Sequence, residues 1–304
     1  MRPKPLSTDV CQSVRNQNRL SYALVWKQRK LIVQGVKPSE AIPLPSLVNV
    51  QGVMACLQRS PVKLVKLDLA LGAEQLQLWA NICRQADKPA FLRLPSLRES
   101  SQKQQPIRWQ LKRLFDQCMA SLLLLLLSPI LLIIMLLVWQ HLPGSLFVQE
   151  WRVGERGKFF QMLRFRTTVG QTDKLLNRWL SKQPAQYAHL KDAQTNFLGH
   201  CLQRYSLDEL PQLLNVLRGE MSLVGLRPLP FDEAVNVPAE LQQRLNALPG
   251  MTGVWQIGGR SARVTLDELV SGADLKYMQR VSFRQDLTFL LHTIPRVIAG
   301  SGVH

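Results

Sequence analysis

Cys118–Trp139 reads CMASLLLLLLSPILLIIMLLVW, 22 residues without one charge. As a helix it is long enough for a hydrocarbon core ~30 Å thick. Lys112, Arg113 and Asp116 stand before it, and Gln140, His141, Pro143 and Gly144 after it. Ser128-Pro129 falls in the middle. Proline removes a helical donor and crowds the preceding turn, so a kink is expected there. The Ser128 hydroxyl can reach a freed carbonyl and lower that cost. A kinked helix can span, or enter one leaflet and return to the same face. Residues 1–111 carry 17 basic and 6 acidic residues, against 21 and 15 in residues 112–304. Crossing would place the more basic third on the far side, against the positive-inside tendency, so re-entry is favoured.

The chain has 304 residues, a formal charge of +17 and 46% apolar residues. That excludes a disordered basic tail and leaves room for two domains. Such a charge points to phosphate, on nucleic acid or on a membrane surface. No RNA-binding signature, interleaved aromatics or helix-turn-helix with basic recognition positions is present, so nucleic acid is not an expected partner. Five dispersed cysteines without a C-x-x-C pair argue against a disulfide framework or structural zinc and fit a reducing compartment. No apolar run lies in the first 30 residues, so no signal peptide is expected.

On the amino-terminal side, residues 1–97 read as a small α/β binding or regulatory module, followed by a polar linker over 98–110. Tyr22–Trp26 and Lys30–Val33 form a hairpin around Lys27-Gln28-Arg29. Strands are expected at Val62–Leu67 and Pro89–Leu94, and helices at Leu47–Leu57 and Leu71–Ala86. Strand–helix–strand–helix–strand implies a partial parallel sheet. The membrane segment occupies 111–143. The rest, 144–304, carries the chemistry.

There, Leu146–Trp151 and Lys158–Phe165 look like strands around Gly154–Gly157, with Arg152, Arg156, Lys158, Arg164 and Arg166 clustered on them. Guanidiniums bind phosphate bidentately, although a solvated basic hairpin beside anionic headgroups reads equally well. In SLDELPQLLNVLRGEMSLVGLRP (206–228), Leu207, Leu210, Leu213, Leu214 and Leu217 repeat at helical spacing. Proline is tolerated within the first four positions, so Pro211 favours Leu207 or Asp208 over Ser206 as the cap. Asp208 reads as an ordinary N-cap, and Ser206 with Glu209 reads as a capping box. The chemical reading uses the same physics. A carboxylate at the positive end of a helix stays ionised and can share a site with a divalent cation and phosphate. Adjacent residues project about 100° apart, which suits two separate roles. Arg227 and, in the Gly-rich LPGMTGVWQIGGR (248–260), Arg260 are further phosphate candidates. Asp274 and Tyr277 share a helical face. Phe283–Ile298 is amphipathic and lies in the membrane interface or packs in the core.

Together these motifs resemble the bacterial sugar transferases, monotopic polyprenyl-phosphate phosphoglycosyl transferases. The order is characteristic. Lys112-Arg113-x-x-Asp116 and Ser128-Pro129 come first, then Gly157-Lys158-x-Phe160 and Arg164-Phe165-Arg166-Thr167. S-L-D-E-L-P-Q, N-V-L-R-G-E-M-S, Arg227-Pro228 and Pro249-Gly250-x-Thr252-Gly253 follow. The resemblance implies an α+β membrane-associated catalytic domain behind the α/β module, with a re-entrant helix broken at Ser128-Pro129 and interfacial amphipathic helices. It implies a monotopic protein on the cytoplasmic face of the inner membrane. Asp208 would be the nucleophile that takes a phosphosugar from a UDP-sugar and releases UMP. Glu209 would be its acid/base partner. Mg2+ at Asp208 would neutralise phosphates that Arg227, Arg260, Arg164, Arg166, Lys158 and Arg152 help to bind. Undecaprenyl phosphate would accept the phosphosugar, starting an exopolysaccharide or envelope polysaccharide. A homodimer is left open. The N-terminal VKLVKLD…LQLWANICRQADKPAFLRLPS resembles the leader of cyanobacterial heterocyst envelope polysaccharide transferases. Departures from the family pattern stand at Glu150, Gln194, Asn196, Leu226 and Gly258. They spare Asp208-Glu209, but motivate an alternative: an inactive membrane scaffold for polysaccharide assembly.

Overall fold

The computed structural model describes residues 21–36, 50–94, 106–142, 144–168, 197–253 and 283–298. The chain divides into two compact units. One comprises Met1–Glu99, Trp151–Phe160 and Pro228–Ala247, and the other Ser100–Glu150, Gln161–Arg227 and Leu248–His304. The N-terminal unit therefore draws in two segments from beyond residue 97.

In that unit, β1 (Ser21–Lys27) and β2 (Lys30–Val36) form the expected hairpin. Beyond β2 lie β3 (Leu64–Leu67) and β4 (Ala90–Leu92), both parallel to it, in the order β1-β2-β3-β4. Helices α1 (Val50–Arg59) and α2 (Gly72–Gln85) make the crossovers. Burial alternates along β3, as expected for a sheet with one packed face. Leu31, Val33, Val65 and Leu67 meet Val53, Leu57, Leu76, Trp79 and Cys83 in a fully buried core. The later segments close it. Trp151 Nε1 donates to Asn81 Oδ1 at 2.7 Å, and Phe231 packs its ring 4.5 Å from that of Phe159. Gly157 sits at φ +73° with a missing Cβ only 3.1 Å from the Leu92 carbonyl, so both backbone and space require glycine.

The second unit is organised by α3 (Pro106–His141), one helix of 36 residues with Pro129 inside it. Among the described residues it is the one helix long and apolar enough to cross a membrane, and only 11% of its most apolar window is buried. A core helix would bury most of that surface. Instead Leu125, Leu126, Leu132 and Trp139 are more than half exposed. Pro129 cannot donate to the Leu125 carbonyl, and the Ser128 hydroxyl donates to that oxygen at 2.8 Å. The expected local remedy for proline is present, within a helix that continues on both sides.

Both ends of α3 are packed. At the start, Lys112, Asp116 and Ala120 are buried. Lys112 Nζ bonds Asp286 Oδ2 at 2.6 Å, and the Ser222 hydroxyl donates to Asp116 Oδ2 at 2.5 Å. At the far end, Ile134, Val138 and Leu142 cluster with Phe165 and Leu202. Strands β5 (Phe147–Val153) and β6 (Phe159–Phe165) each pass from one unit to the other, and β8 (Leu229–Pro230) extends their sheet on the β5 side. After α4 (Phe197–Arg204) come the turn 207–209, α5 (Gln212–Leu217) and β7 (Ser222–Val224). Helix α6 is Phe231–Val235. Parallel pairing of β7 with β9 (Gly250–Thr252) brings Gly225 against Gly250 backbone to backbone. Helix α7 is Phe283–Ile298, with Asp286 buried and paired with Lys112.

Candidate functional site

The sequence led us to expect Asp208 and Glu209 at the start of one helix running through Leu217. The structure corrects this. Leu207–Glu209 forms a single tight 3₁₀ turn, and the α-helix begins only at Gln212. Pro211, whose nitrogen bears no hydrogen, separates the two. Leu210 and Pro211 both keep right-handed helical backbone, so the turn with the carboxylates leads directly into the helix. The capping box is not formed at Ser206. Ser206 makes no side-chain capping bond, and it holds a left-handed backbone at φ 51°. A non-glycine residue persists there only when its surroundings over-determine it. Those surroundings are visible: Leu207 and Leu210 pack against the Ile134–Val138–Leu142 cluster of α3. Leucine anchors on either side thus seat the carboxylate pair over the membrane helix.

Asp208 is buried, 2% exposed, and Glu209 is half-buried. Arg164, on β6, reaches both. Its Nη2 lies 2.8 Å from Asp208 Oδ2 and 3.0 Å from Glu209 Oε1. Though the two residues project apart along the chain, their oxygens converge on one nitrogen. Burial works against the Arg164 charge, but Glu209, Asp208 and Glu150 outweigh it, and its pKa moves above the ordinary arginine value. Glu150, noted in the sequence only as a departure, is thus a third carboxylate acting on the same guanidinium.

The strand that carries Arg164 is tied to the helix after the dyad. Asn215, fully buried, accepts from Leu163 N–H at 3.0 Å and donates to Gln161 O and Glu220 Oε2, each at 2.7 Å. Sequence reading held Asn215 within a motif but gave it no task.

The remaining expected phosphate ligands are placed differently. Buried Arg166 donates to Ser145 Oγ at 3.2 Å and fills the space beside Gly144, where a Cβ would collide with its Nη1. Arg152 donates to the Pro228 carbonyl at 3.2 Å, Lys158 is exposed, and both belong to the N-terminal unit. Arg227 is half-buried beyond β7. Arg260, Gln194, Asn196, Gly258, Asp274 and Tyr277 lie outside the described residues.

No group of three or more His, Cys, Asp or Glu side chains among the described residues could cage a metal. Two carboxylates sharing a cation suit Mg2+ in another manner. That ion prefers oxygen, keeps its waters and commonly takes one or two carboxylates plus substrate phosphates. The donor set at Asp208 and Glu209 fits such sharing and does not fit an all-protein site.

Residues 107–300 match the bacterial sugar transferase family. The chain belongs to that family. Among its relatives is the exopolysaccharide production protein ExoY of Rhizobium meliloti, 38% identical over 226 residues, which are 72% of this chain and 97% of that one. ExoY of Sinorhizobium fredii is 39% identical over 204 residues, 65% of this chain and 89% of its own. A UDP-glucose:undecaprenyl-phosphate glucose-1-phosphate transferase of Caulobacter vibrioides is 37% identical over 194 residues, 62% and 69% of the two chains. The dyad turn, Arg164, Asn215 and the whole of α3 from residue 107 fall within the sugar transferase match. Residues 1–106 fall before it.

Proposed function

We propose that this sugar transferase moves a phosphosugar from a UDP-sugar to undecaprenyl phosphate through an intermediate on Asp208, and so starts an exopolysaccharide or envelope polysaccharide. The chain is a phosphoglycosyl transferase, as its family and its relatives with named activities support. The observation that carries the finer reading is the geometry of the dyad. Two adjacent carboxylates share one guanidinium nitrogen, and one of them is almost wholly buried.

In the first step an Asp208 oxygen attacks the phosphorus that bears the sugar. The bond from that phosphorus to the bridging oxygen breaks, and UMP departs with the electron pair. In the second step an oxygen of undecaprenyl phosphate attacks the same phosphorus. Glu209 takes the proton that this oxygen gives up, and Asp208 leaves as a carboxylate, regenerating the enzyme. Arg164 faces the charge that develops, with Arg227, Arg260 and Arg166 as phosphate ligands. Asp208 would hold Mg2+, which would supply neutralisation of charge on the leaving phosphate.

The membrane reading belongs to the same proposal. Helix α3 enters from the cytoplasmic face and returns to it, with its direction changed at Ser128-Pro129. The Ser128 bond to the Leu125 carbonyl supports it, since that bond lowers the cost of a proline in lipid.

Purified protein with undecaprenyl phosphate, Mg2+ and a panel of UDP-hexoses should release UMP. Chelation should stop the release and added Mg2+ restore it. Asp208→Asn should lower the rate by at least about 10³-fold, in line with loss of a nucleophile. Release at the wild-type rate by Asp208→Asn would remove Asp208 from its role.

A further inference from the structure

The charge of the N-terminal unit is gathered at one end of its sheet. Strands β2, β3 and β4 run parallel in the register Lys30↔Leu64 and Val65↔Ala90, so their starts share an end. The β1–β2 turn returns to that end, with Lys27 opposite Lys30. Trp26, Lys27, Arg29 and Lys30 are exposed there. The Lys63 amide donates to the Arg29 carbonyl at 2.8 Å, which brings exposed Lys63 beside the turn. The Val65 amide donates to the Pro89 carbonyl at 3.0 Å and sets Lys88 next in line. Helices α1 and α2 end here too, joined by Gln58 Nε2 donating to the Gln85 carbonyl at 3.2 Å.

Nine Lys and Arg are described between Ser21 and Leu94, and seven of them stand at this end, beside a single acid, Asp87. The other two acids in that span, Asp68 and Glu74, sit at the opposite end, where Asp68 pairs with Arg93 at 3.5 Å. Two of the seven cations have a local reason. Arg59 and Arg84 occupy last helical turns, whose negative ends attract cations. The other five stand outside the helices, and Trp26 beside them is 46% exposed. A ring that is apolar with one N–H, surrounded by Lys and Arg, suits the level of anionic headgroups. A nucleic acid would call for several stacking rings along a groove, and the described residues of this end offer one.

We propose that this end of the N-terminal unit docks on the anionic surface of the same membrane that holds α3, with Trp26 inserted among the headgroups. It stands or falls separately from the transferase reading.

Trypsin tests it on the full chain in nanodiscs, since it cuts after Lys27, Arg29 and Lys30. Cleavage after Arg93, at the other end of the sheet, is the internal reference. Replacing phosphatidylcholine with a phosphatidylglycerol mixture should slow hairpin cleavage about tenfold relative to Arg93. Salt at ~1 M, with a Debye length of ~3 Å, should restore it. Trp26→Ala should lose most of the protection at an unchanged rate in phosphatidylcholine. If that variant is cut faster in phosphatidylcholine, and so has lost its hairpin, Lys63→Glu replaces it, with the same loss expected. Equal cleavage in both lipids overturns the proposal. So does protection by an oligonucleotide without protection by phosphatidylglycerol.

Discussion

Arg164 is a fixed cation at every pH the protein will meet, because the carboxylates around it outweigh its burial. Its loss would leave Asp208 buried and charged beside Glu209. Breaking one side of such a buried pair costs about 3–5 kcal/mol, most of it from the stranded charge. Arg164→Met should therefore lower the melting temperature in detergent and abolish UMP release. Adding Asp208→Asn should return at least about 1 kcal/mol, because the neutral amide removes the charge that Arg164 had balanced. Strictly additive losses in that double-mutant cycle would mean that the pair contributes no coupling. Cys83 gives an independent check on the N-terminal unit. Burial in the α2 core pushes its thiol up to about 12. At pH 8 only about one thiol in 10⁴ is then ionised, and the thiolate is the reactive form. Iodoacetamide should modify exposed Cys56 and spare Cys83 in the native protein, with mass spectrometry locating the label. Early modification of Cys83 would mean that the α2 core opens readily.

Helix α5 and strand β6 depend on one amide. Asn215→Leu keeps the volume but leaves Leu163 N–H, Gln161 O and Glu220 without their partner. Buried groups left unsatisfied cost about 1–3 kcal/mol each. The variant should unfold several degrees lower and release UMP at least about tenfold more slowly, since the strand bearing Arg164 loses its tie to the dyad helix. Asn215→Asp should not rescue it, because it restores the acceptor for Leu163 but sets a second carboxylate against Glu220. A wild-type rate in Asn215→Leu would separate the tie from catalysis. The elements that sequence reading placed well are those with a local period. The β1–β2 hairpin, the parallel strands with their helices, and Phe283–Ile298 all repeat at 2 or near 3.6 residues between turn residues. The dyad turn departs from that reading, because Leu207, Leu210, Leu213, Leu214 and Leu217 keep helical spacing although the α-helix begins only after Pro211. The site's central contact was not legible at all. Arg164 and Asp208 lie 44 residues apart, and Lys112 and Asp286 lie 174 apart. Pairings at such separations leave no trace in any local pattern.

For the whole molecule, the question is which side of the membrane each unit occupies. Leu125, Leu126 and Leu132 of α3 are exposed, while its start is held by a buried ion pair to α7 and its end by the Phe165–Leu202 cluster. Both anchors belong to the unit that contains Asp208. If α3 crossed a bilayer, one of these two anchors would have to unpack. Releasing Lys112 alone would strand Asp286, again a loss of about 3–5 kcal/mol. The re-entrant course proposed for α3 would keep both anchors. Cys56 in the N-terminal unit and Arg218→Cys in the exposed turn after α5 report the two sides of α3. A membrane-impermeant maleimide should label both in inside-out vesicles and neither in intact spheroplasts. Labelling of one position from each side would establish a crossing helix. One of the two anchors would then have to give way, and if it is the Lys112–Asp286 pair, Asp286→Asn should leave the protein's stability in the membrane unchanged.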